Sequence, residues 1–290
     1  MVEFAWRTWR GADGARLMAR DYHTVADGGR APVICLHGLT RNSRDFEAVA
    51  PWIATLGRRV LVPDVRGRGR SAYADDPAVY QPAAYAADVI ALIDALDLPR
   101  VVVVGTSMGG LIAMALASIV PDRLAGVALN DVGPELAPQG LARIAGYAGA
   151  SPDVADWPAA AGYARAVNGV AFPDYEEADW MAFARRIFRE EGGRPVLDYD
   201  PRIMEPFRQA ADAPGPNLWP LFDKLAALGA PLLLVRGGLS DLLTAETAAA
   251  MCARAPQMDY VEVPNVGHAP MLTEPPARAA IEALLARVGR

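Results

Sequence analysis

Gly105-Thr106-Ser107-Met108-Gly109 stands directly after the apolar run Val101–Val104 and directly before a segment with helical spacing. With 26 glycines and six serines in 290 residues, a GxSxG pattern would arise by chance roughly 0.05 times. A serine at a tight strand-to-helix turn adopts a strained backbone, and glycines two positions either side let the chains approach. The hydroxyl is then held out at the C-terminal end of the strand, beside the free N–H groups that begin the helix. That is a setting for a nucleophile.

A serine hydroxyl attacks poorly without a base. The chain has three histidines. His23 ends an N-terminal hairpin and reads as exposed. His37 ends an apolar run beside Gly38 and reads as a hydrogen-bonded structural residue. His268 lies in Asn265-Val266-Gly267-His268-Ala269-Pro270, after the last apolar run, and such loops gather at the same end of a sheet as the serine. It is the expected base. The base needs a carboxylate to fix its tautomer. Asp241 follows Val235-Arg236-Gly237-Gly238-Leu239-Ser240, and its loop is nearer His268 in topology than Asp131, which ends the strand after the nucleophile helix. Asp241 is therefore the expected acid, and Asp131 is expected to tie the first turn of an insertion to the core.

Two N–H groups could hold an oxyanion: that of Met108, just after the nucleophile, and that of Leu39 in His37-Gly38-Leu39-Thr40. Arg41 and Arg44 in the same loop are expected to be solvated. Asp64-Val65-Arg66-Gly67-Arg68-Gly69-Arg70-Ser71 contains GxG without a third glycine, so it is not a dinucleotide motif. No phosphate-loop pattern and no metal-ligand spacing occur. No cofactor and no metal ion are expected.

The elements that must position these residues follow from the apolar runs. Pro32–Leu36, Arg59–Pro63, Val101–Val104, Gly126–Leu129, Pro231–Val235 and Tyr260–Val263 each stop at a turn or polar residue, which suits strands covered on both faces. Helical patterns fall between them at Pro82–Leu96, Met108–Ile119, Thr244–Ala255 and Pro276–Val288. Alternation of this kind is the pattern of an α/β fold. Glu3–Arg10 and Arg16–His23 flank a Gly-rich turn and read as a hairpin. Between Pro134 and Phe222 the rhythm breaks into helical patterns, including Asp153–Val167 and Tyr175–Glu190. This stretch holds 12 of the 22 aromatic residues, so they either fill its own core or line a pocket over the sheet.

Composition bounds the rest. With 52% apolar and 21% charged residues the chain reads as globular, of one or two domains. A net charge of −6 without a basic block argues against nucleic acid and anionic membrane as partners. Cys35 and Cys252 read as reduced thiols. The N-terminus lacks a secretory pattern and no apolar run could span a bilayer, so a soluble, cytoplasmic protein is expected.

In the order Ser107, Asp241, His268, with the His37-Gly38 loop, the Asp64–Ser71 segment and Gly267-His268-Ala269-Pro270, the chain resembles the α/β-hydrolase family over nearly its whole length. The resemblance implies an eight-stranded, mostly parallel sheet flanked by helices, with a helical cap inserted after strand six: a core of residues 1–133 and 223–290 and a cap of 134–222. Relatives that act as dehalogenases or epoxide hydrolases carry Asp at the elbow, and Ser107 counts against both. The loop lacks the extra glycines of HGGG-type esterases, which points to the capped, smaller-substrate branch. The expectation is a carboxylesterase acting on a small-molecule ester. A C–C bond hydrolase, a lactonase, a perhydrolase, an acyltransferase and a ligand receptor with vestigial hydrolysis stand as alternatives. An anionic C–C substrate would want a buried arginine near Ser107, with Arg143, Arg165, Arg185 and Arg186 as candidates.

Overall fold

Each apolar run that stops at a polar or turn residue is a strand, and all of them join one sheet. The computed structural model describes residues 2–23, 28–209 and 217–289. A hairpin of β1 (Phe4–Arg10) and β2 (Arg16–Tyr22) leads into β3 (Val33–Leu36), α1 (Val49–Thr55), β4 (Val60–Asp64), α2 (Pro82–Ala95), β5 (Val101–Thr106), α3 (Met108–Ile119) and β6 (Leu124–Asn130). An insertion follows, with α4 (Pro138–Tyr147), α5 (Trp157–Asn168), α6 (Glu177–Ile187), β7 (Phe188–Glu191), β8 (Arg194–Leu197) and α7 (Glu205–Gln209). The chain then runs through α8 (Trp219–Ala226), β9 (Leu232–Gly237), α9 (Ala245–Arg254), β10 (Met258–Val263) and α10 (Pro275–Arg287).

The eight-stranded sheet has the order β1-β2-β4-β3-β5-β6-β9-β10. β2 pairs antiparallel with β1 and β4, and every other pair is parallel. The expected mostly parallel sheet, with a helical insertion after the sixth strand, is present. Alternate residues of a strand face opposite sides, and here both sides are covered. Val101 and Val103 pack with Val89 and Ile93 of α2 and Ile112 of α3, while Val102 and Val104 pack with Ile53 of α1 and Ile281 of α10. This is why the strands are continuous apolar runs rather than alternating ones. Each such fully buried side chain contributes roughly 1.5–3 kcal/mol relative to exposure.

The insertion has its own aromatic core. Phe172 stacks on Tyr175 at 4.5 Å, and Trp180 and Phe183 of α6 close around them. The helix expected over Tyr175–Glu190 ends at Ile187 instead. Phe188 onward pairs antiparallel with β8 across Gly192-Gly193, both at positive φ (57° and 78°). Two consecutive glycines favour a tight hairpin turn of that hand, which overrides the helical pattern. The loop after β3 fastens the insertion: Asn42 Nδ2 donates to Arg186 O at 2.9 Å, and Arg44 Nη2 to Asp198 at 2.5 Å. α8, which spans residue 222, packs with the sheet through Phe222 and Leu225. Both cysteines are free thiols, Cys35 within the core and Cys252 half-buried.

At its first turn α3 meets the sheet backbone to backbone, at Gly109. A Cβ on Gly109 would sit 2.1 Å from Leu36 O of β3, and one on Gly105 would sit 2.4 Å from the Gly109 backbone. Backbone cannot yield as a flexible side chain would, so α3 must move away to accept either. Gly109→Ala is therefore expected to destabilise the fold by about 2–3 kcal/mol. Urea melts would show it, and a midpoint equal to wild type would disprove this close contact.

Candidate active site

Ser107 occupies the turn between β5 and α3 with φ 52° and ψ −115°. A left-handed conformation at a non-glycine residue costs about 1–3 kcal/mol and persists only when its surroundings enforce it. Here the Ser107 N–H donates to Asn130 O at 3.0 Å, and its carbonyl accepts from Gly110 N at 2.8 Å. The close approach at Gly105 and Gly109 completes the restraint. The expected strained elbow is what the structure contains.

His268 lies on the loop after β10 and is 9% exposed. Its Nε2 is 2.9 Å from Ser107 Oγ, and its Nδ1 is 2.8 Å from Oδ2 of Asp131. The carboxylate beside His268 is thus Asp131, not Asp241, which corrects the sequence-based expectation. The sheet order explains why. β6 lies directly beside β5, so the residue that ends β6 stands next to the serine that ends β5, and between it and β9. Asp131 is fully buried and tied from three sides: besides His268, Ser240 Oγ donates to Oδ2 at 2.7 Å and Gly237 N to Oδ1 at 2.9 Å. It does not tie the insertion to the core. Asp241, farther along the loop after β9, is held by Arg143 of α4, with Nε–Oδ2 at 2.5 Å and Nη2–Oδ1 at 2.8 Å. That guanidinium holds the Asp241 carboxyl below the ordinary carboxylate range.

The loop after β3 brings Gly38 and Leu39 to the serine. A Cβ on Gly38 would lie 3.7 Å from Ser107 Cβ. Met108 is the first residue of α3, so its N–H belongs to the first turn that lacks an internal acceptor. The Asp64–Ser71 segment, unproductive as a nucleotide motif, builds the support beneath this loop. Arg68, fully buried, donates from Nε to Leu39 O at 3.0 Å, and Asp64 Oδ1 accepts from Ser43 N at 2.7 Å. His37 is structural as expected, while His23 is exposed and pairs with Asp21 at 3.0 Å.

Two cavities meet at His268. One, of about 40 Å³, is lined by Gly38, Leu39, Arg41, Ser107, Tyr147 and His268. The other, of about 230 Å³, is lined by His268 together with Arg143, Ala171, Leu239, Asp241 and Gly267. Arg41 and Arg44 are not solvated, contrary to expectation. The Arg41 guanidinium lies 4.2 Å over the Phe183 ring and donates to Asp45 at 3.1 Å, while Arg44 fastens Asp198 and Arg186 O. Of the arginines expected near Ser107, Arg143 pairs with Asp241, Arg185 lies 3.6 Å over Trp157, Arg186 pairs with Glu47 and Arg165 is exposed. Among the described residues the arginine that lines the Ser107 cavity is Arg41, which sequence reasoning set aside; its place next to the Leu39 loop was the available signal. Among the described residues no group of three or more His, Cys, Asp or Glu could hold a metal ion, and no helix is long and apolar enough to cross a membrane.

A sequence model of the alpha/beta hydrolase family matches residues 33–282. A 3-hydroxybutyrate-oligomer hydrolase of Cupriavidus necator is 38% identical over 263 residues, covering 88% of each chain. An esterase of Mycobacterium tuberculosis is 31% identical over 280 residues, covering 92% of this chain and 86% of its own. A solved alpha/beta hydrolase of Novosphingobium aromaticivorans is 46% identical, with a TM-score of 0.91 over 99% of both chains.

His37 carries a separate consequence for stability. Its Nδ1–H donates to Gly38 O at 2.8 Å and its Nε2 accepts from Val65 N at 3.0 Å, so the ring is neutral with one tautomer. Burial pushes its pKa from 6.5 down to about 3. The unfolded chain takes up this proton below pH 6.5 and the folded chain does not, so the contribution is complete above 6.5 and is lost as pH falls from there toward 3. The His37 ring resonances in an NMR titration should stay flat from pH 8 to about pH 5. A midpoint near the ordinary imidazole value would overturn the assignment.

Proposed function

Because the chain belongs to the alpha/beta hydrolase family, we propose that it is a serine hydrolase cleaving small to medium carboxylic esters through an acyl-enzyme. The observation that carries this reading is the continuous contact Ser107 Oγ–His268 Nε2 at 2.9 Å and His268 Nδ1–Asp131 Oδ2 at 2.8 Å. His268 takes the Ser107 proton as Oγ bonds to the acyl carbon, and the carbonyl electrons pass to its oxygen. The N–H groups of Leu39 and Met108 receive that oxyanion, each worth about 3 kcal/mol in the transition state. As the tetrahedral carbon collapses, the C–O bond to the alcohol breaks and His268 hands its proton to the leaving oxygen. Water then repeats the sequence against the acyl-enzyme, with His268 as base, and releases the acid and free Ser107. Asp131 holds the Nδ1–H tautomer and steadies the imidazolium throughout. The helical cap closes over the small cavity and limits the size of the acyl and alcohol groups.

The similarity to a 3-hydroxybutyrate-oligomer hydrolase supports short hydroxy-acid esters as the substrate class. The likeness extends over 88% of each chain.

Steady-state hydrolysis of p-nitrophenyl esters from acetate to decanoate tests the reading. Turnover on the short chains, abolished in Ser107→Ala, is the expected result, and activity that survives in that variant would remove the nucleophile. Asp131→Asn should lower kcat by about 10⁴, because the wrong tautomer is then favoured. Asp241→Asn should change it by less than about tenfold, since the carboxylate's partner is Arg143. The reverse ranking would return the acid role to Asp241.

A further inference from the structure

Beyond the Ser107 cavity lies a second, smaller one that the proposed reaction does not use. Thr40, Arg41, Tyr147 and Asn168 line both, so the two are contiguous. Tyr163 and Tyr199 complete the smaller one, and both phenol oxygens are buried without a hydrogen-bond partner. Tyr199 is only 3% exposed. Buried hydroxyls are nearly always paired, so two orphans in one cavity ask for an occupant. Burial pushes both phenols above their ordinary pKa, so each keeps its proton and can donate it.

Arg41 supplies the charge. Asp45 takes one of its N–H groups at 3.1 Å, and the guanidinium face rests on Phe183. A guanidinium carries five N–H donors, so one contact leaves most of the fork for another acceptor. Asn168 Nδ2 is committed to Ala164 O at 3.0 Å and does not compete. The smaller cavity measures about 10 Å³, about the space of one water, so a carboxylate fits only by spanning the shared wall into the Ser107 cavity of about 40 Å³, and an alkyl chain does not fit. Two hydroxyl donors and a planar cation around such a space match a carboxylate.

We propose that Arg41, Tyr163 and Tyr199 form a carboxylate-binding subsite beside Ser107, so that the preferred esters carry a free carboxylate a few bonds from the scissile bond. This rests on Ser107 as the nucleophile and adds the substrate class. The carboxylate does not react; it anchors one end of the substrate and sets which ester bond reaches Ser107 Oγ.

The test compares the linear 3-hydroxybutyrate dimer as free acid and as methyl ester. The free acid should have a KM about tenfold or more below that of the methyl ester. Arg41→Met should bring the ratio close to one, and Tyr199→Phe should lower it part of the way. Because the Tyr199 hydroxyl has no hydrogen-bond partner among the described residues, Tyr199→Phe should melt no lower than wild type, which separates a binding role from a structural one. Equal KM values in wild type, or a preference that survives Arg41→Met, would overturn the subsite. Calorimetry with 3-hydroxybutyrate and the Ser107→Ala protein reads binding without turnover. Affinity that disappears on adding Arg41→Met supports the subsite, and absence of binding overturns it. If no ester is hydrolysed in a Ser107-dependent way, the nucleophile reading fails while the calorimetry still decides the subsite.

Discussion

A carboxylate with no exposure to water is stable as an ion only if donors replace its hydration. Asp131 meets that demand with Gly237 N–H, Ser240 Oγ–H and His268 Nδ1–H, which come from the end of β9, the loop beyond it and the loop after β10. Two separate stretches of chain, one running from the end of β9 and one after β10, are thereby drawn to the residue that follows β6. Ser240 is itself fixed, since its oxygen accepts from Leu243 N at 3.1 Å while its hydrogen goes to Asp131. The imidazole orientation toward Ser107 follows from this knot rather than from any property of the His268 loop alone. On the other side, Asn130 Nδ2 donates to Pro270 O at 2.8 Å, so the end of β6 grips that loop at two consecutive residues.

The serine needs a different kind of restraint, and its source is steric. The missing side chains at Gly105 and Gly109 let α3 touch β3 and β5, and that contact forces the turn that presents Oγ. Electrostatic demand at Asp131 and steric demand at Ser107 act on neighbouring strands. Together they leave the Ser107–His268 distance little freedom.

Much of this was legible in the sequence, and the divide falls along locality. The elbow is a five-residue pattern, so Ser107, its strand and its helix could be read directly. His268 followed because few histidines existed and one alone sat after the last strand. The carboxylate beside His268 could not be read this way: Asp131 and Asp241 both end up beyond strand termini at the same edge. Choosing between them required the sheet order and the knowledge that Arg143, 98 positions earlier in the chain, occupies Asp241. Arg41 was obscured for the same reason, since its Phe183 neighbour belongs to the insertion. The β7–β8 hairpin was the exception, because Gly192-Gly193 is a local turn signal that the helical spacing of the preceding residues masked.

Among the ties that fasten the insertion are Asn42 and Arg44 to Arg186 and Asp198, Gly267 N to Ala171 O at 2.7 Å, and Arg143 to Asp241. His268 borders two cavities, the narrow one holding Ser107 and the wider one bounded by the Arg143–Asp241 pair. One histidine thus belongs to the walls of both. Residues such as Leu239 and Ala171 border only the wider cavity, so a substitution at either reshapes that space while the residues lining the Ser107 cavity stay the same.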